Sequence, residues 1–165
     1  MSAVLEARPP RLRDMTAADL PGVLAVERRL YSHPWSEHIF RDCLRVGYAC
    51  RVYEDGGEII GYGIMSLGAG ECHILNLAIH PDHQRRGLGR GLLEEMLVLA
   101  RRWGARMAFL EVRVSNTAAQ RLYERAGFHL LGTRRDYYPA ARGREDALVL
   151  ARQLFADEPP RGLSG

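Results

Sequence analysis

Apolar and polar positions recur with two different periods along this chain, and the switches between them mark out its elements. Leu20, Val23, Leu24, Glu27 and Leu30 recur at helical spacing, with Thr16 placed to cap the helix and Asp19 three residues on. Pro34-Trp35-Ser36 breaks that helix, and Ser36 can cap a second one running to about Arg45. The pattern then turns to strands. Tyr48–Glu54 and Glu58–Leu67 flank Asp55-Gly56-Gly57, a hairpin signal, and Gly68-Ala69-Gly70 turns the chain into Glu71–Ile79. Leu12–Met15 is a further strand ahead of the first helix. Helical spacing returns from near Gly91 to Trp103, where Leu92, Leu93, Met96, Leu97 and Ala100 make the buried stripe and Gly104 fits the position just past the end. Met107–Val114 is a β-rich apolar run, Asn116 can cap a short helix ending at Gly127, and Phe128–Arg135 and Asp146–Gln153 read as the last two strands. An antiparallel meander followed by strand–helix–strand–helix–strand–strand is an α+β arrangement.

Composition narrows the class. The chain has 165 residues, 47% hydrophobic and 26% charged, which suits one globular domain, expected over residues 11–155 between a flexible lead-in (1–10) and a disordered tail (156–165). No apolar stretch approaches membrane-spanning length and the N-terminus lacks a signal-peptide core, so no membrane partner is expected. Cys43, Cys50 and Cys72 are an odd number without Cys-x-x-Cys spacing, which fits a reducing cytoplasm. The formal charge is +3 with acidic residues interspersed, so no dense basic face points to nucleic acid. His73, His80 and His83 lack the spacing of a metal site, and none of the cysteines has a sequence-visible base partner.

The chemistry concentrates in two segments. Gln84-Arg85-Arg86-Gly87-Leu88-Gly89-Arg90 lies between the apolar run Ile74–Ile79 and a helix, and strand, glycine-bearing turn and helix together build an anion site. Gly87 and Gly89 have no Cβ to hold a ligand off, so backbone N–H groups can converge beside the positive end of the helix dipole. A diphosphate is the natural occupant. Leu92 stands where a dinucleotide-binding fingerprint needs its third glycine, and a chain whose 23 basic residues are all arginine cannot supply the lysine of a P-loop. What remains, Gln/Arg-x-x-Gly-x-Gly/Ala, resembles the pyrophosphate loop of the GNAT acetyltransferases. The second segment is Leu110-Glu111-Val112-Arg113-x-Ser115-Asn116-x-x-Ala119-x-x-Leu122-Tyr123-Glu124-x-x-Gly127-Phe128, which is similar to the branch of that family that acetylates ribosomal-protein N-termini.

The resemblance covers roughly Leu12 to Leu154. It implies a mixed central sheet, an antiparallel meander joined to a splayed parallel strand pair, with flanking helices and acetyl-CoA as co-substrate without a metal. It implies that Arg85, Arg86, Gly87, Leu88, Gly89 and Arg90 hold the pyrophosphate, that the backbone of Leu77, Ala78 and Ile79 pairs with pantetheine, and that Asn116 contacts coenzyme A. Asn116 also reads as a plain N-cap. Glu111 falls on the family's general base. On residues alone, a carboxylate inside a buried strand must be paired or functional, and an ion pair with Arg113 is the alternative. Tyr123 falls on the general acid, against the alternative of a core tyrosine. Trp35, between the first two helices, and Tyr137 and Tyr138, between the last two strands, would flank a peptide groove. The implied reaction is acetyl transfer to the N-terminal α-amine of a protein, with the N-terminal alanine of a small-subunit ribosomal protein as leading substrate. A small amine, a lysine side chain or a non-catalytic coenzyme A-binding module are the alternatives.

Overall fold

The computed structural model describes residues 9–84 and 86–155. Its strands are β1 (Arg11–Asp14), β2 (Ala49–Asp55), β3 (Glu58–Gly68), β4 (Glu71–Ile79), β5 (Met107–Arg113), β6 (His129–Pro139) and β7 (Arg144–Gln153), and its α-helices are α1 (Leu20–Leu30), α2 (Glu37–Arg45), α3 (Leu88–Arg102) and α4 (Thr117–Arg125). The strands form one sheet in the order β1-β2-β3-β4-β5-β7-β6. Within it β4 and β5 run parallel, whereas β1 with β2, β5 with β7 and β6 with β7 are antiparallel. The β4–β5 ladder joins Glu71–Ile74 to Met107–Leu110, and both strands run on past it, β4 to Ile79 and β5 to Arg113. The α+β order is the one expected from the pattern, and the parallel pair within a mixed sheet is what the family resemblance implied.

Contacts group the chain into two units, one of residues 9–64 with Asn76–Leu93 and one of Met65–Leu75 with residues 94–155. The first unit buries Leu20, Val23 and Leu24 of α1, Phe40 of α2, and Ile60 and Tyr62 of β3. Thr16 starts α1 through a short 3-10 turn, its N–H donating to the Asp19 carboxylate at 2.8 Å. Ser36 Oγ accepts from the Ile39 N–H at 3.3 Å, so α2 is capped where the sequence placed its cap. The second unit buries Met96, Leu97 and Ala100 of α3, Cys72, Ala108 and Leu110 of the parallel pair, and Leu150 of β7.

Most boundaries agree with the sequence reading to within two residues, and the larger differences lie in α3, β6 and β7. Helix α3 begins at Leu88 rather than near Gly91, because the second glycine of the motif is already helical. Strands β6 and β7 are longer than expected and close on residues 140–143, which puts Tyr137, Tyr138, Arg144 and Glu145 in strands instead of a loop. A bulge between Arg134 and Tyr138, with Asp136 at φ 52°, is what an alternation count cannot follow. The expected lead-in and tail fall almost wholly outside the described residues.

Candidate active site

The glycine motif starts where β4 ends. Gln84 donates through Nε2 to the Ile79 carbonyl at 3.3 Å, and Arg86 lies 3.1 Å from His83 Nδ1. Gly87 has φ 72° and nothing within 4 Å of where a Cβ would stand, so the loop is both left-handed and open at that residue. The Gly91 N–H is bonded to the Gly87 carbonyl at 3.1 Å, and the amides ahead of it lie before the helical ladder of the 15-residue α3. Open backbone, a helix N-terminus and an exposed Arg86 fit a diphosphate. Gly89 contributes as the second residue of α3 and not by a left-handed turn, and Arg85 lies outside the described residues. Leu77 and Ile79 are half-buried on one face of β4, with Ala78 on the other. The Leu77 carbonyl accepts from Tyr31 Oη at 3.4 Å. A Cβ on Gly61 of β3 would stand 2.6 Å from the Ala78 carbonyl oxygen, a close approach that requires glycine there.

Glu111 sits in the second unit. Alternation along β5 gives it the same face as Phe109, and the parallel register sets Phe109 beside His73 of β4. Glu111 Oε2 is hydrogen-bonded to His73 Nε2, and Oε1 lies 3.5 Å from Arg134 Nε of β6. Its side chain is 8% exposed. Burial pulls the carboxyl pKa up, but the His73 hydrogen bond and the charges of His73 and Arg134 outweigh burial and hold it below the usual carboxylate range. The three side chains line a cavity of about 440 Å³ together with Ser66, Glu71 and Phe109. Arg113, the alternative partner, is engaged elsewhere, 3.0 Å from Glu145, whose other oxygen accepts from the Ser115 N–H.

Tyr123 on α4 is buried edge-on against Phe128, ring centroids 5.8 Å apart, so the core reading holds for its ring. Its hydroxyl has no hydrogen-bond partner among the described residues, yet no fully buried polar side-chain atom is unsatisfied, so that oxygen retains access to solvent. Burial pushes its phenol up to about 12, which keeps the proton in place at neutrality. Asn116 caps α4 through Oδ1, 3.1 Å from the Ala119 N–H, which leaves its amide NH₂ available to a ligand. Tyr137 and Tyr138 meet edge to face at 4.8 Å. The Arg113 guanidinium lies 4.5 Å from the Tyr138 ring centre and that of Arg134 lies 5.6 Å from Tyr137. Arg134 therefore joins Glu111 to the tyrosine pair. Trp35, in the first unit, packs on Phe40 at 5.3 Å and donates its backbone N–H to Glu27 Oε1 at 3.1 Å.

Sequence reasoning missed His73, Arg134 and the buried role of Glu27. His73 was considered only as a metal ligand; pairing β4 with β5 in register would have set it beside the Glu111 face. Arg134 gives no comparable sign, because its position depends on β6.

Residues 11–128 match the model of the acetyltransferase (GNAT) family, and the chain belongs to that family. Its similarity is strong to one kind of member. It is 37% identical over 140 residues to the [ribosomal protein bS18]-alanine N-acetyltransferase of Escherichia coli strain K12, covering 85% of this chain and 95% of that one. The enzyme of the same name from Haemophilus influenzae is 31% identical over 144 residues, 87% of this chain and 98% of the relative. The crystal structure of the ribosomal-protein-S18-alanine N-acetyltransferase from Escherichia coli superposes with a TM-score of 0.83 at 36% identity, covering 90% of this chain and 97% of that chain.

Proposed function

We propose that this protein transfers an acetyl group from acetyl-CoA to the N-terminal α-amine of a protein, with the N-terminal alanine of ribosomal protein bS18 as its target. The observation that carries the reading is Glu111: a carboxylate held ionised by His73 and Arg134, facing a cavity large enough to admit the end of a peptide. Relatives that match nearly end to end bear that activity in their names.

Acetyl-CoA, when bound, supplies an activated thioester. Arg86, Gly87, Leu88, Gly89 and Arg90, with Arg85, would hold its diphosphate, the Leu77–Ile79 backbone its pantetheine, and Asn116 a further polar group. An α-ammonium has a pKa of about 7.7–8.0, so an ionised carboxylate can take its proton without extreme tuning. Glu111 does this through either oxygen, and His73 and Arg134 keep it ionised until the proton arrives. The freed amine attacks the thioester carbonyl and forms the C–N bond; the C–S bond then breaks as Tyr123 donates its proton to the departing thiolate, and the second proton shed by the new amide nitrogen restores the Tyr123 phenol through solvent. By the family resemblance, Trp35, Tyr137 and Tyr138 would contact the entering chain end. No helix is long and apolar enough to cross a membrane among the described residues, and Cys43, Cys50 and Cys72 are buried free thiols; the reducing cytoplasm is the compartment we assign.

The test is a peptide beginning with alanine and carrying an internal lysine, incubated with the enzyme and acetyl-CoA and read by tandem mass spectrometry. Acetyl on the α-amine, with the lysine untouched and no reaction once the terminus is blocked, is the expected outcome. Acetyl on the lysine with a free terminus overturns the substrate assignment.

A further inference from the structure

Glu27 and Asn76 are the buried polar side chains among the described residues, and they bond to each other. Glu27 lies on the inner face of α1, 2% exposed, and the hydrogen bonds to its oxygens come from neutral groups. A carboxylate in that position is costly to desolvate, and a leucine would fill the same stripe without the cost. What offsets it is three neutral donors from three separate places. Trp35 N–H reaches Oε1 at 3.1 Å, Asn76 Nδ2 of β4 reaches Oε2 at 3.1 Å, and Tyr62 Oη of β3 donates to Oε2. Burial and the Glu27 charge push the Tyr62 phenol far up, so it remains a donor. The backbone repeats the link: the Tyr31 N–H closes α1 on the Glu27 carbonyl at 3.1 Å, while Tyr31 Oη reaches the Leu77 carbonyl at 3.4 Å.

We propose that Glu27 is a positioning residue that fixes the connection 31–36, and Trp35 with it, against the Asn76–Leu77 segment of β4. Resting on the functional reading above, this joins the peptide-side aromatic to the strand segment assigned to pantetheine, so the first residue of the peptide meets a wall set in register with the thioester. The two oxygens divide the task. Oε1 serves the connection, and Oε2 serves the strands. The consequence falls on peptide recognition and selectivity for a small first side chain, with little on the chemical step.

Glu27→Gln tests this because it keeps the shape and replaces one acceptor by a donor. The amide oxygen goes to the side with two donors, which sets NH₂ against the Trp35 N–H. The expected result is a KM for the alanine peptide raised about tenfold, a loosened preference for small first residues, and exchange of the Trp35 amide proton faster by about tenfold, as expected for one lost buried hydrogen bond. KM for acetyl-CoA and kcat stay within about threefold. Leu24→Ala, on the same buried face but outside the network, controls for plain loss of stability and should leave the peptide KM and Trp35 exchange alone. Tyr62→Phe, which removes one donor from Oε2, should raise both by a smaller factor, and it decides the matter if Glu27→Gln does not fold. Unchanged peptide KM and Trp35 exchange, or equal shifts in Leu24→Ala, overturn the proposal. If the unaltered protein acetylates no peptide, the functional reading falls, and Trp35 exchange in the same variants still supports or overturns the anchor.

Discussion

Glu27 and Glu111 are both largely withdrawn from water, and their surroundings give them opposite uses. Glu27 is enclosed by neutral donors, at least one to each oxygen. Glu111 is bonded to a histidine, lies beside an arginine, and opens on a cavity of about 440 Å³. A carboxylate saturated by fixed neutral donors is a strut, since accepting a proton would break bonds on which the local backbone depends. A carboxylate held ionised by side chains that can follow it, with empty space in front, is a base waiting for a proton. Burial alone does not separate the two roles; partners and access do.

The largest break in that comparison is the pair Glu111→Gln and Glu27→Gln. Glu111→Gln should lower kcat by about 10²–10⁴-fold with little change in acetyl-CoA affinity, whereas Glu27→Gln should keep kcat and lose peptide affinity. Steady-state kinetics with varied peptide and varied acetyl-CoA separates them, and equal kcat losses would erase the distinction. Next in size, Tyr123→Phe should slow turnover about a hundredfold while leaving the melting temperature nearly unchanged, because the ring keeps its contact with Phe128 and the hydroxyl gives up no bond to the described residues. A large fall in melting temperature would make Tyr123 a core residue only.

His73→Ala sharpens the account of Glu111. Burial raises the carboxyl pKa and His73 lowers it, so removing His73 must move it up. Activity that requires the ionised form is lost as pH falls through this pKa, so the acid limb of the kcat/KM profile should shift to higher pH. Stability should follow the same sign. A depressed folded-state pKa contributes stability above the unfolded value that is lost as pH falls through the folded one, and the variant should lose less on acidification. An unmoved acid limb would remove His73 from the account. The smallest effect is expected from Gly61→Ala, whose methyl group meets the Ala78 carbonyl oxygen at 2.6 Å. It should lower stability by about 1–3 kcal/mol, read from the denaturant midpoint, and weaken acetyl-CoA binding through the displaced strand.

Much of this was legible in the sequence because it is local. The hairpin at Asp55-Gly56-Gly57, the bounds of β4, the caps at Ser36 and Asn116 and the α3 stripe each follow from residues within one turn or one strand. Glu111 and Tyr123 were singled out through their resemblance to a known motif. What escaped depends on pairing between distant segments. Glu27 read as one more member of the α1 stripe, because a period of 3.6 reports which face is buried and not whether Tyr62 and Asn76 wait there with donors. His73 lies 38 residues from Glu111, and only the parallel register brings them together. The tyrosine pair was placed in a loop because the bulge before it hides the continuation of β6.

The central claim is that Glu111 takes the proton from the substrate α-ammonium, and the pH dependence of the Glu111→Gln deficit tests it most directly. Without a base only the free amine reacts, and the free fraction rises about tenfold per pH unit up to the amine pKa of about 7.7–8.0. The kcat/KM of Glu111→Gln on the alanine peptide, divided by that of the unaltered enzyme, should therefore be smallest near pH 6 and climb steeply until about pH 8. A ratio that stays constant across that range would mean that Glu111 binds or shapes the site without accepting the proton.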